Sequence, residues 1–196
     1  TVQTETADNA LTKGDKSPVT VADFASQALV SHMLMEHFPD AVLVGEEASD
    51  ALKEDGAEHL LEQVTGYAAR FIPKSTADSV CEWIDRGAAD PAKRFWTLDP
   101  IDGTKGFIRG DQYAVALALV ENGDVKIGVL GCPNLTDGYI SEPGGAGKLM
   151  IAVRGEGTWL TEMDNAENND WKRIQVSPRA NPSEARLMRS FESGHT

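Results

Sequence analysis

The sequence is poor in cysteine and in basic residues, and it contains no long apolar run. Its two cysteines, Cys81 and Cys132, are too few for a disulfide scaffold, so we expect buried or half-buried thiols or a regulatory disulfide. No stretch approaches the roughly 18 apolar residues of a membrane span. Because 31 acidic residues outnumber 18 basic ones, the net charge of −13 argues against a nucleic acid or an anionic membrane as partner.

The rest of the composition suits a single globular domain. A chain of 196 residues with 41% hydrophobic residues can bury a sizeable core. Its acidity still permits a small phosphorylated ligand, because bound metal ions reverse the local charge. We expect a soluble intracellular protein, in the cytoplasm or in an organelle.

Residues 95–107, with the sequence FWTLDPIDGTKGF, carry the clearest pattern of functional residues. Residues 95–98 predict a short buried strand. Pro100 cannot continue a central ladder, so Asp99 should lie where the strand ends. This layout directs Asp99 and Asp102 into one small volume.

The residues after these two aspartates predict an anion site. Gly103 and Thr104 are typical of the start of a helix, whose free N–H groups would point toward the same volume. Two carboxylates about 4 Å apart repel by about 4 kcal/mol at an effective dielectric near 20, and a phosphate would add to that repulsion. Hard divalent cations such as Mg²⁺ remove the conflict and take oxygen ligands. The alternative is that Asp99 and Asp102 are ordinary turn and cap residues.

The segment before this stretch predicts a polar lead-in and then a long helix. Residues 1–16 lack periodicity, which suggests a mobile lead-in. Thr20 and Asp23 fit a capping box, and apolar periodicity predicts a helix over residues 21–37. On local grounds, a cap is the simplest role for Asp23.

A second predicted strand also ends in acidic residues. Residues 41–44 form a short apolar run, and Glu46 and Glu47 follow it closely. Taken alone, adjacent glutamates usually belong to a solvated loop. Their place after a strand nevertheless repeats the arrangement at Asp99.

The remaining pattern predicts two helices and a series of antiparallel strands. We expect helices at 57–71 and 76–87, hairpin strands at 113–120 and 125–130 around Asn122-Gly123, and further strands at 149–153, 158–160, 172–176 and 187–191. A turn is expected at 154–157 and a polar loop at 163–170. The near-continuous apolar run of the first hairpin strand is typical of a core strand rather than an edge strand. The fold class is therefore α+β, a mostly antiparallel sheet with helices packed over it.

The motif Asp99-Pro-Ile-Asp-Gly-Thr104 closely resembles the metal-binding signature of the lithium-sensitive, Mg²⁺-dependent phosphatases that include inositol monophosphatases and fructose bisphosphatases. Residues 105–115 are similar to the 3'(2'),5'-bisphosphate nucleotidase branch of that superfamily. Residues 17–24 and 44–49 resemble two further segments of the family. The resemblance covers nearly the whole chain.

The resemblance implies a layered α/β sandwich of the inositol-phosphatase and fructose-bisphosphatase type. Residues 1–196 would form its N-terminal metal-binding domain, with an antiparallel sheet and packed helices. The family's C-terminal domain, whose tryptophan–aspartate motif supplies another metal ligand, is not found in this sequence. We therefore expect a partial polypeptide whose partner is the C-terminal remainder of the same protein.

The resemblance also implies a role for individual residues in hydrolysis of a phosphate monoester with two or three Mg²⁺ ions. The implied metal ligands are oxygen donors near the two strand ends: Glu46, Asp99, Asp102, the backbone carbonyl of Ile101 and, as an outer partner, Glu47. Asp23 and Thr104, hydrogen-bonded to each other, would orient the attacking water and take its proton. The amides of Gly103 and Thr104 would bind the phosphate, and His195 would contact the adenosine side of a nucleotide.

The implied reaction releases the 3'-phosphate of 3'-phosphoadenosine 5'-phosphate to give AMP, with 3'-phosphoadenosine 5'-phosphosulfate as a further substrate. An inositol or sugar phosphatase would share the metals, although residues 105–109 argue against it. A non-catalytic cation or nucleotide sensor would suit a chain without the second domain. Locally, His195 is also compatible with a turn and a solvated imidazole. Asn134 heads a glycosylation sequon that we interpret as coincidental.

Overall fold

The computed structural model describes residues 3, 11–12, 18–137 and 140–185. Its helices are α1 (Val21–His37), α2 (Glu58–Ala69), α3 (Ala77–Asp85) and the short α4 (Thr104–Ile108), with 3₁₀ turns at Ser49–Leu52, Met163–Asn168 and Pro182–Glu184. Its strands are β1 (Leu11–Thr12), β2 (Pro18–Val19), β3 (Leu43–Val44), β4 (Arg94–Asp102), β5 (Ala114–Glu121), β6 (Asp124–Cys132), β7 (Lys148–Val153), β8 (Gly157–Glu162) and β9 (Lys172–Ile174). The predicted helices and strands within these ranges are confirmed, with ends that shift by a few residues. The strand expected at 187–191 lies outside the described residues.

Seven of the strands form one sheet in the order β3-β4-β5-β6-β7-β8-β9. The edge strand β3 runs parallel to β4, and every other neighbouring pair in this sheet is antiparallel. The expected α+β fold with a mostly antiparallel sheet is therefore confirmed. A separate antiparallel pair joins β1 to β2.

The core lies among three helices and extends onto one side of the sheet. Helix α1 packs against α2, α3 and β4. Fully buried side chains such as Phe24, Val64 and Ile84 fill the space between the helices. A second cluster, centred on Leu34 and Leu98, joins α1 to the sheet. None of the described helices is long and apolar enough to cross a membrane.

The hairpin between β5 and β6 turns as expected, because Asn122 and Gly123 both have positive φ, 54° and 82°. Both strands lie inside the sheet rather than at its edge, which confirms the prediction from the apolar run. Apart from Leu119, which is 7% exposed, the β5 residues are half-buried. The described helices leave one side of β5, β6 and β7 without cover. We call this side the open face, and its members include Ala116, Ala118, Gly128, Leu130, Met150 and Ala152.

Two further expectations are corrected by side-chain and backbone contacts. In the predicted lead-in, the side chain of Gln3 is buried and donates to the carbonyl oxygens of Phe107 (2.9 Å) and Asp111 (3.1 Å). The predicted polar loop at 163–170 contains the 3₁₀ turn Met163–Asn168.

Asn134 is buried and donates to Gln3 and to the Asp111 carbonyl, so the sequon is not accessible in the folded chain.

Candidate metal centre

Strand β4 carries the first acidic residues, and it is longer than the predicted 95–98. It pairs regularly with β5 as far as Asp99 opposite Ala116, and pairing resumes at Asp102 opposite Ala114. The irregular step between them accommodates Pro100, whose ring nitrogen cannot donate to a ladder. A regular strand would place the two aspartates on opposite faces, whereas the bulge sets them opposite Ala116 and Ala114, which are two residues apart on β5.

The chain leaves this bulge through a left-handed residue. Gly103 has φ 88° and ψ 40°, a conformation that side chains disfavour, and it caps α4, which is only five residues long. The hydroxyl of Thr104 donates to the backbone carbonyl of Ile101 (3.0 Å). The bond expected between Thr104 and Asp23 does not occur among the described residues, because this hydroxyl is turned toward Ile101.

The parallel pairing of β3 with β4 places Glu46 beside Asp99. Leu43 lies opposite Trp96, and Val44 lies opposite Thr97. Parallel strands advance together, so two residues further along each chain Glu46 should fall next to Asp99. This neighbour relation could not be read from the sequence, which does not say which strands pair.

Asp99 is held in an unfavourable environment for a negative charge. One of its carboxylate oxygens, Oδ1, is buried and has no hydrogen-bond partner among the described residues. Burial, followed by the charges of Glu46 and Asp102, raises the pKa of Asp99 to about 6, and Asp23 adds to the effect. A hydrogen bond from the backbone N–H of Ile101 opposes this shift. Glu46, Asp102 and Asp23 therefore all lie within electrostatic reach of Asp99.

Asp23 is buried at the start of α1 and does form the predicted cap. Its Oδ2 accepts from the backbone N–H and from the hydroxyl of Thr20, both at 2.7 Å. Thr20 in turn accepts from the N–H of Ala22 (3.1 Å). The capping role is thus present, and it leaves the proposed catalytic role of Asp23 untested.

The carboxylate oxygens near Asp99 are suitable ligands for a hard cation, although the described side chains are not already arranged to coordinate one. No group of three or more His, Cys, Asp or Glu side chains within the described ranges is close enough to hold a metal ion. The unpartnered oxygen of Asp99, with other carboxylates in electrostatic reach, is what a bound cation would satisfy. Glu46 and Asp102 are exposed, so small side-chain movements could complete the set.

Sequence reasoning missed Gln27, a fully buried residue of α1. Gln27 contacts the loop of residues 45–49 that follows β3, which we call the Glu46 loop. Its Oε1 accepts from the N–H groups of Glu46 (3.0 Å) and Glu47 (2.9 Å). Its Nε2 donates to the carbonyl oxygens of Glu47 (2.6 Å) and Ile84 (2.9 Å). The available signal was a glutamine four residues after Asp23, on the buried side of a helix that apolar periodicity predicts.

Of the remaining residues that the sequence singled out, the structure describes all but His195. Gly103 and Thr104 lie at the turn between β4 and α4, and Ile101 is buried in the bulge. Both cysteines are free and buried, as expected for plain thiols. His195 lies outside the described residues.

Together, the mixed sheet and the acidic residues at the end of its parallel strand pair define an α+β protein with a carboxylate-rich centre. The fold is shared with a solved structure, the extragenic suppressor protein suhB from Bartonella henselae. That match has a TM-score of 0.51 and 20% identity, and covers 88% of this chain and 46% of that chain.

The particular family follows from the sequence match. Residues 1–196 match the model of the inositol monophosphatase family, and the chain belongs to that family. It is 42% identical to 3'(2'),5'-bisphosphate nucleotidase 2 of Candida albicans, over 95% of this chain and 57% of that protein. It is 41% identical to 3'(2'),5'-bisphosphate nucleotidase 1 of Arabidopsis thaliana, over 94% and 57%. The chain thus spans a little over half the length of the curated relatives it matches.

Proposed function

We propose that this chain is the metal-binding part of a Mg²⁺-dependent phosphatase acting on 3'-phosphoadenosine 5'-phosphate, giving AMP and phosphate. The observation that carries the proposal is the buried, unpartnered oxygen of Asp99 within reach of three other acidic residues. The names of the nucleotidase relatives support the choice of substrate. We extend the proposal to 3'-phosphoadenosine 5'-phosphosulfate, which carries the same 3'-phosphate.

In this proposal the oxygen donors at the two strand ends hold two or three ions. Glu46, Asp99 and the carbonyl of Ile101 would hold one, and Asp99 and Asp102 would share in holding another. When bound, Mg²⁺ supplies a more acidic water and neutralises charge on the leaving oxygen. The Ile101 carbonyl already accepts from Thr104, and a carbonyl oxygen has a second lone pair with which it would bind a cation.

The other assigned residues would orient the water and the substrate. The Thr104 hydroxyl would turn from Ile101 toward the water, and Asp23 would take up the proton through it. The amides of Gly103 and Thr104 would bind the phosphate oxygens. His195 would contact the adenosine side, away from the reacting phosphate.

We also propose that a further segment of the same polypeptide, corresponding to the additional length of the relatives, packs on the open face. The support is the apolar character of that face, where Leu130 is 41% exposed. Asp99 lies at its border, beside Ala116. A segment that covered the face would therefore also reach the carboxylates.

The test is steady-state kinetics of the full-length gene product. We expect a higher kcat/KM for 3'-phosphoadenosine 5'-phosphate than for inositol 1-phosphate, and at least about a 10²-fold loss of kcat/KM in Asp99→Asn, since outer-shell changes alone reach that scale. Asp90→Asn, which changes an exposed aspartate that precedes β4 and is not one of the assigned site residues, is the control. A better rate with inositol 1-phosphate would favour the inositol phosphatase alternative, and normal turnover in Asp99→Asn would remove Asp99 from the site.

A further inference from the structure

The Glu46 loop is fixed from one side by a single side-chain amide. Gln27 uses all of its hydrogen-bonding capacity there: two bonds are accepted by Oε1, and two are donated by Nε2. The two accepted bonds come from consecutive residues, Glu46 and Glu47. An oxygen that binds two successive N–H groups fixes the orientation of the peptide between them, and hence the direction in which the Glu46 side chain leaves the backbone.

The amide group of Gln27 lies in a slot made by two glycines. A Cβ atom on Gly45 would collide with Oε1 of Gln27. A Cβ atom on Gly87 would lie 2.6 Å from Nε2 and 3.1 Å from the carbonyl oxygen of Ile84. The N–H of Gly45 donates to the carbonyl of Gly87 (2.7 Å), which closes the slot. Both glycines are therefore needed for close approach to the Gln27 amide, although neither has a positive φ.

The position of Gln27 also ties the loop to the helix that carries Asp23. The two residues are four apart in α1, so they lie on the same face, one turn from each other. Both are buried. The same face thus carries one acidic residue of the centre and holds the backbone of another.

We propose that Gln27 is a positioning residue that fixes the Glu46 carboxylate toward Asp99 and does not itself touch the metal. This inference rests on the proposed function, because it assumes that Glu46 is a metal ligand. Buried polar partners of this kind typically change metal affinity by 10- to 100-fold when removed. A purely structural Gln27 would change the stability of the fold and leave metal affinity nearly unchanged.

The test uses Mn²⁺ as the probe, because it is a hard divalent ion with the same preference for oxygen ligands. Free Mn²⁺ is counted by electron paramagnetic resonance during titration of the 196-residue chain. Gln27→Met keeps the side-chain volume but removes all four hydrogen bonds. We expect its Kd for Mn²⁺ to rise by about 10-fold or more, and the amides of Glu46 and Glu47 to lose protection from hydrogen exchange.

Asp85→Ala is the matched control, because Asp85 anchors the far end of the same loop. Its carboxylate accepts from the N–H (2.8 Å) and hydroxyl (2.6 Å) of Ser49 and from Lys53 (3.0 Å). This variant also loses several hydrogen bonds, so Tm should fall, but its Kd for Mn²⁺ should stay within about 3-fold of wild type. An equal loss of affinity in both variants, or none in Gln27→Met, would overturn the inference.

Two further outcomes keep the test decisive. If Gln27→Met does not fold, Gly87→Ala replaces it. The added Cβ would push the Gln27 amide away, while Gln27 and Glu46 themselves stay unsubstituted. Normal Mn²⁺ affinity in the folded Gly87→Ala variant would overturn the inference. If the wild-type chain binds no Mn²⁺, the proposed metal site fails first, and the role of Gln27 with it. If the wild-type chain binds Mn²⁺ and the variants bind it equally well, the positioning role of Gln27 is contradicted and the metal site is not.

Discussion

Asp99 combines two features that oppose each other in the metal-free chain. Its charge would be useful for binding a cation, yet burial and neighbouring carboxylates disfavour that charge when no cation is bound. A raised carboxyl pKa means that ionisation costs stability in the folded state. The cost is absent below the ordinary pKa of 3.8, grows as the pH rises to about 6, and is fully present above it.

The first prediction is that Asp99→Asn stabilises the metal-free chain at neutral pH. Asparagine removes the charge and keeps an oxygen for the N–H of Ile101. Because Asp99 is half-buried and partly screened, we expect only about 1 kcal/mol, which is about 2–4 °C in Tm for a chain of this size. The measurement is thermal unfolding in chelator at pH 7.5 and at pH 4.

The pH series supplies the control within the same pair of proteins. At pH 4 the two chains should differ much less in Tm, since Asp99 is then protonated in the folded state and only partly ionised in the unfolded state. Excess Mg²⁺ at pH 7.5 should reverse the order, because only the wild-type chain gains from metal binding. A constant Tm difference at both pH values would show that charge is not the cause.

At this scale the sequence predicted where regular strand pairing stops better than it predicted side-chain contacts. Pro100 correctly placed Asp99 where regular pairing stops, since a proline cannot donate to a ladder. The direction of the Thr104 hydroxyl could not be predicted, because a rotatable hydroxyl chooses among acceptors that only the folded turn brings near. Gln27 was missed for a similar reason: its partners lie 19 to 57 residues away.

Among the elements, α1 shows how a helix can serve both the core and the centre. One side buries Phe24 and Ala28 against the other helices. Along the same helix, Asp23, Gln27 and Ser31 form a buried polar row at four-residue spacing. Periodicity alone predicted the helix and its cap but treated the polar row as incidental. The function of this polar row depends on which loop of the folded chain packs against it.

The turn of the β5–β6 hairpin was predictable to the residue, because it has a local cause. Asn122 and Gly123 both adopt positive φ, which few other pairs tolerate. The extent of burial was not predictable, because it depends on what covers the other face of the sheet. Local rules thus gave the turn, and tertiary context decided the burial.

The second prediction concerns this turn. Gly123→Ala should destabilise the chain by about 1–2 kcal/mol, because alanine disfavours φ of 82° even though nothing lies near the added methyl. Gly128→Ala in β6 is the control: it also has open space, and it has no positive φ. That variant should be neutral or slightly stabilising. Equal losses in urea unfolding of the two variants would show that the turn conformation is not the cause.

At the scale of the whole molecule, the open face is the main departure from a closed core within the part of the chain that the structure describes. Two rows of facing residues cross it from strand to strand. One row runs from Thr97 through Ala118 and Gly128 to Ala152, and the other runs from Asp99 through Ala116 and Leu130 to Met150. The side chains of the first row are small, whereas the second row includes the larger Leu130 and Met150. The first row should therefore form a shallow groove beside the second. Such an apolar patch on an acidic, otherwise polar chain favours contact with another apolar surface.

The third prediction is that the 196-residue chain binds an apolar fluorescent dye through the open face, and that Leu130→Lys reduces this binding by at least about half. Leu130 is already 41% exposed, so the substitution should leave Tm within a few degrees of wild type. Val176→Lys is the control, because Val176 is 91% exposed but lies outside the sheet. In the full-length gene product the dye signal should be weak and insensitive to Leu130→Lys, since a covered face is not available to the dye. Strong binding that persists in Leu130→Lys, or in the full-length product, would contradict the assignment of this face as the packing surface.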